Sequence, residues 1–482
     1  MFALEDHLHR FKTAYRTSPQ WFKNSVGWVY ARLPRSIRYG AELARLETLL
    51  SESQWWSEEQ LQAYQWEQLS ALLRHDYDHV PYYRRTWSEA GLSPDDIRSA
   101  ADMHKLPLLT KDDIRQHRQE LIAQNYRQRL LTTNTGGSTG EPLELYWERG
   151  RTRGAERAFM WRQWRWAGFE YGKRTAVLRG QTVKGMIHYD PIDQHLFLSG
   201  FALNDDTAPE YLAVLRKFKP VSIQAYPASI TVLANYMKHH NEPPLDGLKV
   251  ILAGSENLYS AQRSVLEDVF QCRVYSWYGH GEVTTLAGGC DQSDLYHVYD
   301  EYGFTELIDP NGNVLEWQEG AKGEIVGTGF NNWAMPLIRY RTADIAVVGP
   351  PTCSCGRNYR LWERIEGRKQ EYVVARDGKL IPLTALIFGQ HYHAFAKIKR
   401  MQLVQDQPGE MVIRLMVNDT WSQEDEREFR HEMSQVLDED WQFGFDYVES
   451  IPFTAAGKHR FVIQNIPLDT VWAGEQSLPP KR

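Results

Sequence analysis

From about residue 130 onward, short apolar runs alternate with helical stretches, and this alternation limits the possible folds more than any other feature of the chain. The apolar runs are Thr175–Leu178, Val221–Ala225, Val250–Ala253 and Val274–Trp277, and the helical stretches between them include Ala208–Lys217 and Ser260–Phe270. Such short, continuous apolar runs are typical of buried strands. Strands that alternate with helices predict an α/β layered domain.

The segments on either side of this region have different patterns. Up to about residue 120 the pattern is helical, and Ser57–Gln60 fits a capping box. Two further strands are predicted at Gly323–Gly329 and Leu337–Val348. Predicted hairpins follow them, and then a charged helix at Glu424–Leu437. We therefore predict a large α/β N-terminal domain over residues 1–366, mainly helical over 1–120, and a small α+β C-terminal domain over residues 367–482.

Composition excludes several classes of partner. The chain has 482 residues and a net charge of −7, so it has no global basic field for nucleic acid. No apolar run approaches the roughly 20 residues that a membrane-spanning helix needs, and the first residues lack the pattern of a signal peptide. The 4 cysteines are too few for a disulfide scaffold in so long a chain. We expect a cytoplasmic protein with no transmembrane segment.

One local segment, Trp21–Tyr39, mixes aromatic and basic side chains. This mixture is compatible with contact to a membrane surface or to a partner. We expect instead that its aromatic side chains pack inward against the protein, with the basic groups in water. Pro34 should interrupt any long helix here.

A glycine-rich loop follows the helical region. It contains Thr135, Gly136, Gly137, Ser138, Thr139 and Gly140, followed by Glu141 and Pro142. Glycines allow backbone N–H groups to turn outward, and a concave row of such donors suits a polyphosphate. The loop has no lysine, so it is not the usual P-loop. A solvent-exposed turn is the alternative.

Carboxylates and hydroxyls also follow the predicted strands. Tyr278-Gly279-His280-Gly281-Glu282 places an acid that can hold Mg²⁺ beside a ring that can stack on a purine. Gly254, Ser255 and Glu256 end another strand, a position where open α/β sheets bind ligands, although Ser255 also fits a helix cap. Asp344, at the end of Tyr340-Arg341-Thr342-Ala343-Asp344, can accept hydrogen bonds from two ribose hydroxyls or can be a simple surface acid.

In this order, with Gly367-Arg368 and Gly457-Lys458, the motifs resemble the acyl-adenylate-forming superfamily. Within it they are most similar to the phenylacetate–CoA ligase-like family, especially its capsule and polysaccharide-associated members. The resemblance covers nearly the whole chain and includes Val80–Tyr83 and Leu106–Lys111. It implies a large multi-layered adenylate-forming domain, a small mobile C-terminal domain, and a place in polysaccharide biosynthesis.

The resemblance also implies roles for individual residues. Glu282 would bind Mg²⁺, Tyr278 and Gly279 would line the adenine pocket, and Asp344 and Arg368 would bind the ribose. Gly254, Ser255 and Glu256 would border the adenine and acyl pockets, and residues 135–140 would hold the β- and γ-phosphates. The implied catalytic residues are Lys458, Glu282 and His280, and the hinge of the small domain falls on Gln370. A lysine that follows glycine is otherwise usually a solvated surface group.

Two residues depart from the family pattern. Gly281 stands where a threonine or serine usually precedes the metal-binding glutamate, and Ala343 replaces a glycine. Both departures would fit a relative that binds a nucleotide without catalysis, which remains the alternative of another class.

Cysteine spacing suggests a second metal site. Cys353 and Cys355 form a tight pair, and Cys290 and His297 lie upstream. Three thiolates and one imidazole could close a structural zinc site. His280 and His188 are alternatives to His297, and free cytosolic thiols are the competing interpretation.

The implied activity is that of an acid–thiol ligase that uses ATP and Mg²⁺. A carboxylic acid would attack the α-phosphate, giving an acyl-adenylate and pyrophosphate, and a thiol, expected to be CoA, would then displace AMP. The acyl pocket should lie near Tyr226, Ser229 and Trp277. Transfer to an amine such as an amino sugar is the alternative. The expected partners are a small acid and an acceptor, and a dimer is compatible with the sequence.

Overall fold

Helices dominate the first part of the chain, and strands dominate the rest. The computed structural model describes residues 4, 15, 18–134, 143–179, 186–200, 202–368, 372–377, 380–382, 397–437, 441–452 and 459–466. The helices are α1 (Gln20–Arg32), α2 (Arg35–Tyr39), α3 (Ala41–Ser53), α4 (Glu58–His79), α5 (Pro81–Glu89), α6 (Lys111–His117), α7 (Thr152–Trp166), α8 (Ala208–Phe218), α9 (Pro227–His239), α10 (Ser260–Phe270) and α11 (Gln423–Val436).

The strands extend from residue 130 to residue 464. They are β1 (Leu130–Asn134), β2 (Glu144–Glu148), β3 (Thr175–Arg179), β4 (Ile187–Asp190), β5 (His195–Ser199), β6 (Ser222–Ala225), β7 (Val250–Ala253), β8 (Arg273–Gly279), β9 (Leu286–Gly289), β10 (Tyr296–Val298), β11 (Gly303–Ile308), β12 (Lys322–Gly329), β13 (Tyr340–Val348), β14 (Leu361–Arg368), β15 (Tyr372–Val374), β16 (Leu380–Pro382), β17 (Ile398–Gln407), β18 (Glu410–Val417), β19 (Gln442–Tyr447) and β20 (Val462–Gln464).

One large sheet organises the N-terminal part. Among the described residues it contains twelve strands in the order β11-β12-β13-β14-β10-β9-β8-β7-β6-β3-β5-β4. Strands β8, β7, β6, β3 and β5 run parallel. Helices α8, α9 and α10 connect them in turn and pack on them through buried side chains such as Leu212, Leu233 and Leu266. The carboxyl ends of these strands therefore meet at one edge, and the predicted α/β class is confirmed.

The boundaries predicted from the sequence agree closely with the observed elements. The predictions for Val250–Ala253 and Ser260–Phe270 agree with β7 and α10 at both ends, and the other predicted strands and helices differ by at most three residues. The capping box is also confirmed, because the backbone N–H of Gln60 donates to Oγ of Ser57 at 3.3 Å and that of Ser57 donates to Oε1 of Gln60 at 2.9 Å.

The aromatic segment near the N-terminus differs from its prediction. A break at Pro34 separates α1 from α2, as expected. However, Trp21 and Trp28 are 70% and 61% exposed, so the prediction that they pack inward is wrong. Within the described residues, one face of α1 contacts the protein: Tyr30 is buried there, and Gly27 packs so closely on Pro191 that an added Cβ would lie 3.0 Å away. The other face of α1 is left in solvent.

A separate core lies near the C-terminus. There β17 pairs with β18 antiparallel, while β20 and β19 flank them in parallel. Helix α11 covers this sheet, and Phe429 and Met433 pack with Leu403 and Ile413. The mixed pairing and the helix agree with the predicted small α+β domain. No helix in the described ranges is both long enough and apolar enough to cross a membrane.

Candidate active site

A cleft of about 590 Å³ lies at the carboxyl ends of the parallel strands. The ends of β3, β6, β7 and β8 supply Arg179, Tyr226, Ser255 and Trp277 to its wall, and α7 supplies Glu156. The small C-terminal domain contributes His459 and Phe461. Residues from widely separated parts of the sequence therefore share one cavity, as the topology of an open parallel sheet predicts.

Two of the predicted nucleotide-binding residues are in direct contact. The Tyr278 hydroxyl donates a hydrogen bond to Oδ2 of Asp344 at 2.8 Å, although β8 and β13 are not neighbours in the sheet. Both residues line the cleft, as does Gly279. The backbone of Arg368 pairs with that of Asp344 across β13 and β14. The aromatic ring and the acid are thus placed together at the wall where the sequence predicted adenine and ribose.

Glu282 lies in the same cleft in a charged state. Nδ1 of His280 donates to Oε2 of Glu282 at 3.1 Å, and the Tyr340 hydroxyl donates to Oε1 at 3.0 Å. Burial by itself raises the pKa of the Glu282 carboxyl, but His280 and Tyr340 outweigh that effect and hold the pKa at about 2. A carboxylate that stays ionised beside a cleft is a suitable ligand for a hard divalent cation.

Two residues that hold this loop in place were missed by the sequence reasoning. Tyr340 contacts Glu282, and Nε1 of Trp147 donates to the carbonyl oxygen of Gly281 at 3.2 Å. Thr284 Oγ1 also lies 3.3 Å from Nε2 of His280. Tyr340 begins the motif that ends at Asp344, so the sequence did indicate that this part of the chain lies near the site. Trp147 carried none, because it is more than 130 residues away from Gly281 in the chain.

Glu256 connects three parts of the molecule. Its Oε2 accepts the backbone N–H of Ala228 at the start of α9 at 3.0 Å, and its Oε1 accepts the backbone N–H of His459 at 3.1 Å. Ser255, which precedes it, has a φ of 68°, and an added Cβ at Gly254 would lie 2.4 Å from the Trp277 ring. The close turn needs glycine at Gly254, and it brings Glu256 to the small domain.

The remaining predicted residues are placed as follows. Tyr226 and Trp277 line the cleft, whereas Ser229 is buried within α9 and is not among the lining residues. Residues Thr135–Gly140, Gln370 and Lys458 lie outside the described residues, as does the side chain of Arg368. The cleft also contains Arg179 and Glu156, which sequence reasoning did not identify. Burial raises the pKa of Glu156 to about 7, against the opposing effects of Tyr302 and His280.

The cysteine residues form a second cluster away from the cleft. Ligand atoms of Cys290, His297, Cys353 and Cys355 all lie within 4.8 Å of one another in the described structure. Sγ of Cys290 lies 3.5 Å from Sγ of Cys353, and Sγ of Cys355 lies 3.4 Å from Nε2 of His297. Tetrahedral zinc with Zn–S bonds of about 2.3 Å separates its ligand atoms by about 3.8 Å, so this donor set fits zinc. His188 instead stacks with Phe197, and His280 lies in the cleft.

The position of this cluster favours a structural site. Arg273 begins β8 and donates to the carbonyl oxygens of Asp291 and Cys290. The cleft, in contrast, lies at the other end of the same strand, near Tyr278. With a rise of about 3.3 Å per residue, the two ends of β8 are about 20 Å apart. A metal held by Cys290 and its neighbours would therefore support the fold without touching the cleft.

Comparison with known proteins shows what this chain is similar to. The CapK C-terminal domain family matches residues 374–465. The phenylacetate-coenzyme A ligase of Aromatoleum evansii is 28% identical over 335 residues, which cover 68% of this chain and 74% of the relative. Protein CapK of Staphylococcus aureus is 24% identical over 381 residues, covering 76% of this chain and 81% of that protein.

A solved structure agrees over a longer stretch. The crystal structure of 2-hydroxyisobutyryl-CoA ligase in the postadenylation state, in complex with R3-HIB-AMP, covers 92% of both chains with a TM-score of 0.64 at 19% identity. This likeness establishes the fold, with its separate C-terminal domain. The curated relatives and the matched C-terminal family add that the chain is similar to the phenylacetate–CoA ligase-like family of adenylate-forming proteins.

Proposed function

We propose that the protein activates a carboxylic acid with ATP and transfers the acyl group to the thiol of CoA. In the first step an oxygen of the acid attacks the α-phosphorus of ATP, and the bond to the β-phosphate oxygen breaks to release pyrophosphate. In the second step the thiol sulfur attacks the acyl carbon, AMP leaves, and the thiol proton passes to solvent. A mixed anhydride with AMP has a far better leaving group than a free carboxylate has.

The observation that carries this proposal is the convergence of Tyr278, Asp344 and Glu282 on one cleft that the small domain also reaches. Tyr278 and Asp344 form the wall proposed for adenine and ribose. Mg²⁺, held by the ionised Glu282 carboxylate, would neutralise phosphate charge. The backbone N–H of His459 contacts Glu256 at the cleft, and Lys458 is the residue that precedes His459 in the sequence.

Lys458 is the proposed catalytic cation. A carboxylate and an anionic phosphate repel each other, and a positioned ammonium group stabilises the charge that develops as they react. His459 is expected to be neutral at pH 7, because burial lowers the pKa of its imidazole to about 4. The cations of this segment are Lys458 and Arg460, and the resemblance assigns the catalytic role to Lys458. Glu156 is a further cleft carboxyl whose raised pKa leaves it partly protonated near pH 7.

Acid-dependent exchange of pyrophosphate into ATP tests the first step over a panel of acids. We expect exchange with at least one acid, and AMP release that increases when CoA is added. Lys458→Ala should reduce exchange by about 100-fold or more, in the range found when a transition-state charge donor is removed, while ATP binding is retained. Arg427→Ala removes an exposed cation from α11 of the same domain and serves as the matched control.

The other outcomes separate the alternatives. ATP binding without exchange for any acid would support a nucleotide-binding relative that lacks catalysis. Exchange that gives amide products with amines, and no thioester with CoA, would identify an amide-forming ligase. Full exchange activity in Lys458→Ala would show that Lys458 is not the catalytic cation.

A further inference from the structure

We propose that Arg179 determines substrate specificity by binding a second anionic group, a carboxylate or a phosphate, at the far end of the acid. This inference rests on the proposed function, because it concerns the acid that the cleft activates. It narrows that acid from any carboxylic acid to one with two negatively charged ends.

Arg179 is held firmly at the wall of the cleft. It is the last residue of β3, and its backbone pairs with that of Ser199 on β5. The carbonyl oxygen of Arg179 accepts the backbone N–H of Gly200 at 2.9 Å, which fixes the end of the strand. Its guanidinium carbon lies 6.0 Å from the centre of the Tyr226 ring, and both residues line the cleft. The cation is therefore part of the acyl pocket predicted around Tyr226.

This arginine has no acid to neutralise it within the described part of the chain. Its Nε is buried and has no hydrogen-bond partner. Two buried arginines elsewhere do have such a partner: Arg339 pairs with Glu306 at 2.9 Å, and Arg357 pairs with Asp291 at 2.6 Å. Burial without a carboxylate lowers the pKa of Arg179, because the charged form loses its hydration. An anion that joins this partly buried cation would replace the interactions that the guanidinium group loses with its hydration.

Its position in the sheet places that anion away from the nucleotide. Strand β3 is separated from β8 by β6 and β7, so three inter-strand spacings of about 4.8 Å set the ends of β3 and β8 about 14 Å apart. Tyr278 and Glu282 stand at the β8 end, where the phosphates would lie. An acid whose reacting carboxylate faces that end would extend its other end past Trp277 and Tyr226 toward Arg179.

The guanidinium group also determines which chemical group the far end of the acid should carry. Its planar fork of N–H donors matches a carboxylate or a phosphate with two parallel hydrogen bonds. A neutral group at the same place would leave the partly buried cation unpaired inside the filled cleft, and such a loss typically weakens binding by about 30-fold or more. Acids with an uncharged tail should therefore be poor substrates.

The test compares acids that differ only at the distal end. Pyrophosphate exchange is measured for dicarboxylic acids of graded length, for their monomethyl esters, and for phosphorylated hydroxy acids of the same length. We expect kcat/KM for the best doubly anionic acid to exceed that for its ester by about 30-fold or more. The dicarboxylate and phosphate arms identify which anion is preferred. Arg179→Met should remove the preference, chiefly by raising KM for the doubly anionic acid.

Controls separate this inference from the proposed function. Arg179→Lys retains the charge without the fork and should give an intermediate preference, which also covers the case in which Arg179→Met does not fold. Lys217→Met removes an exposed cation from α8 and should change nothing. If exchange occurs but the esters are preferred, and the Arg179 variants keep that order, the inference is wrong and the proposed function stands. If an acid of the wider panel supports exchange but no doubly anionic acid does, the inference is wrong and the proposed function stands. If no acid of the panel or of these series supports exchange, both fail.

Discussion

Asp76 is an acid whose surroundings keep it protonated near neutral pH. It is fully buried in α4, where Oδ1 contacts Nδ1 of His75 at 2.9 Å. Its Oδ2 has no hydrogen-bond partner in the part of the chain that the structure describes. Burial raises the pKa of the Asp76 carboxyl to about 7, against the opposing effect of His75. An aspartate in an unfolded chain has a pKa of about 3.9.

This difference predicts a pH-dependent loss of stability. Between about pH 4 and pH 7 the folded protein binds more protons at Asp76 than the unfolded chain does, so the free energy of unfolding falls as pH rises through that window. Each pKa unit corresponds to about 1.4 kcal/mol, which makes the total loss a few kcal/mol. Asp76→Asn should lack this loss and be more stable than the wild type at pH 8. Chemical denaturation at several pH values measures it.

The control for this prediction lies on the same helix. Asp78 is exposed, so Asp78→Asn should keep the pH dependence of the wild type. Equal pH slopes for the wild type and Asp76→Asn would show that Asp76 is ionised in the folded protein.

Tyr340 contacts Glu282, the carboxylate proposed to bind Mg²⁺. Its hydroxyl donates to Glu282, and this hydrogen bond is one of the causes that hold the pKa of Glu282 at about 2. A hydrogen bond to a charged group contributes about 1.5–3 kcal/mol. We expect Tyr340→Phe to weaken Mg²⁺-dependent ATP binding by about tenfold. Titration calorimetry with ATP, with and without Mg²⁺, measures this change, and an equal loss without Mg²⁺ would contradict the assigned role.

At the scale of secondary structure, local patterns located the elements but not their distant contacts. The strands β3, β6, β7 and β8 are short apolar runs bounded by turns, so their period and length identified them. Strands β9, β10 and β11 were not predicted from the sequence, because β9 (Leu286–Gly289) is glycine-rich and the other two are short or mix polar and apolar residues. Strands β9 and β10 are fixed by antiparallel pairing with β8 and β14, and β11 by antiparallel pairing with β12, and a local pattern does not contain such pairing.

In the candidate site, too, some residues were predicted from local sequence motifs and others were not. Tyr278, Glu282 and Asp344 were found because each stands in a motif at or near a strand. Arg179 and Glu156 were missed, because an arginine at a strand end and a glutamate in a helix are ordinary in sequence. Only the fold shows that they face the same cleft. The loop at 135–142 and Lys458 stay predictions.

The cysteine cluster joins two segments that the sheet brings together. Cys290 follows β9, His297 lies in β10, and Cys353 and Cys355 precede β14. We expect the purified protein to contain about one zinc ion per chain, because the four ligand atoms suit a closed tetrahedral site. Cys353→Ser should lower both the zinc content and the melting temperature, because zinc would otherwise crosslink these segments. Elemental analysis and thermal denaturation measure both.

Cys272 provides the matched control. It packs beside the core formed by α8, α9 and α10, outside the cluster, so Cys272→Ser should retain the zinc. Protein that contains no zinc after growth in zinc-supplemented medium would dismiss the metal site.

For the whole molecule, Glu256 links the two parts that the proposed reaction must bring together. Its carboxylate accepts one N–H from α9 and one from His459, which neighbours Lys458. Each such bond to a charged acceptor contributes about 1.5–3 kcal/mol, enough to change the population of the docked arrangement about tenfold or more. The first step of the proposed reaction needs the Lys458 segment at the cleft. The second step is proposed to need the small domain rotated away from it.

The two half-reactions should therefore respond differently to Glu256→Ala. We expect acyl-adenylate formation in a single turnover to slow by about tenfold, whereas thioester formation from a supplied acyl-adenylate and CoA stays near the wild-type rate. Glu256→Gln keeps an acceptor oxygen and should recover part of the first rate, and Glu210→Ala removes an exposed acid from α8 as the control. Equal slowing of both half-reactions would show that Glu256 supports the cleft as a whole, through α9, rather than the docking of the small domain.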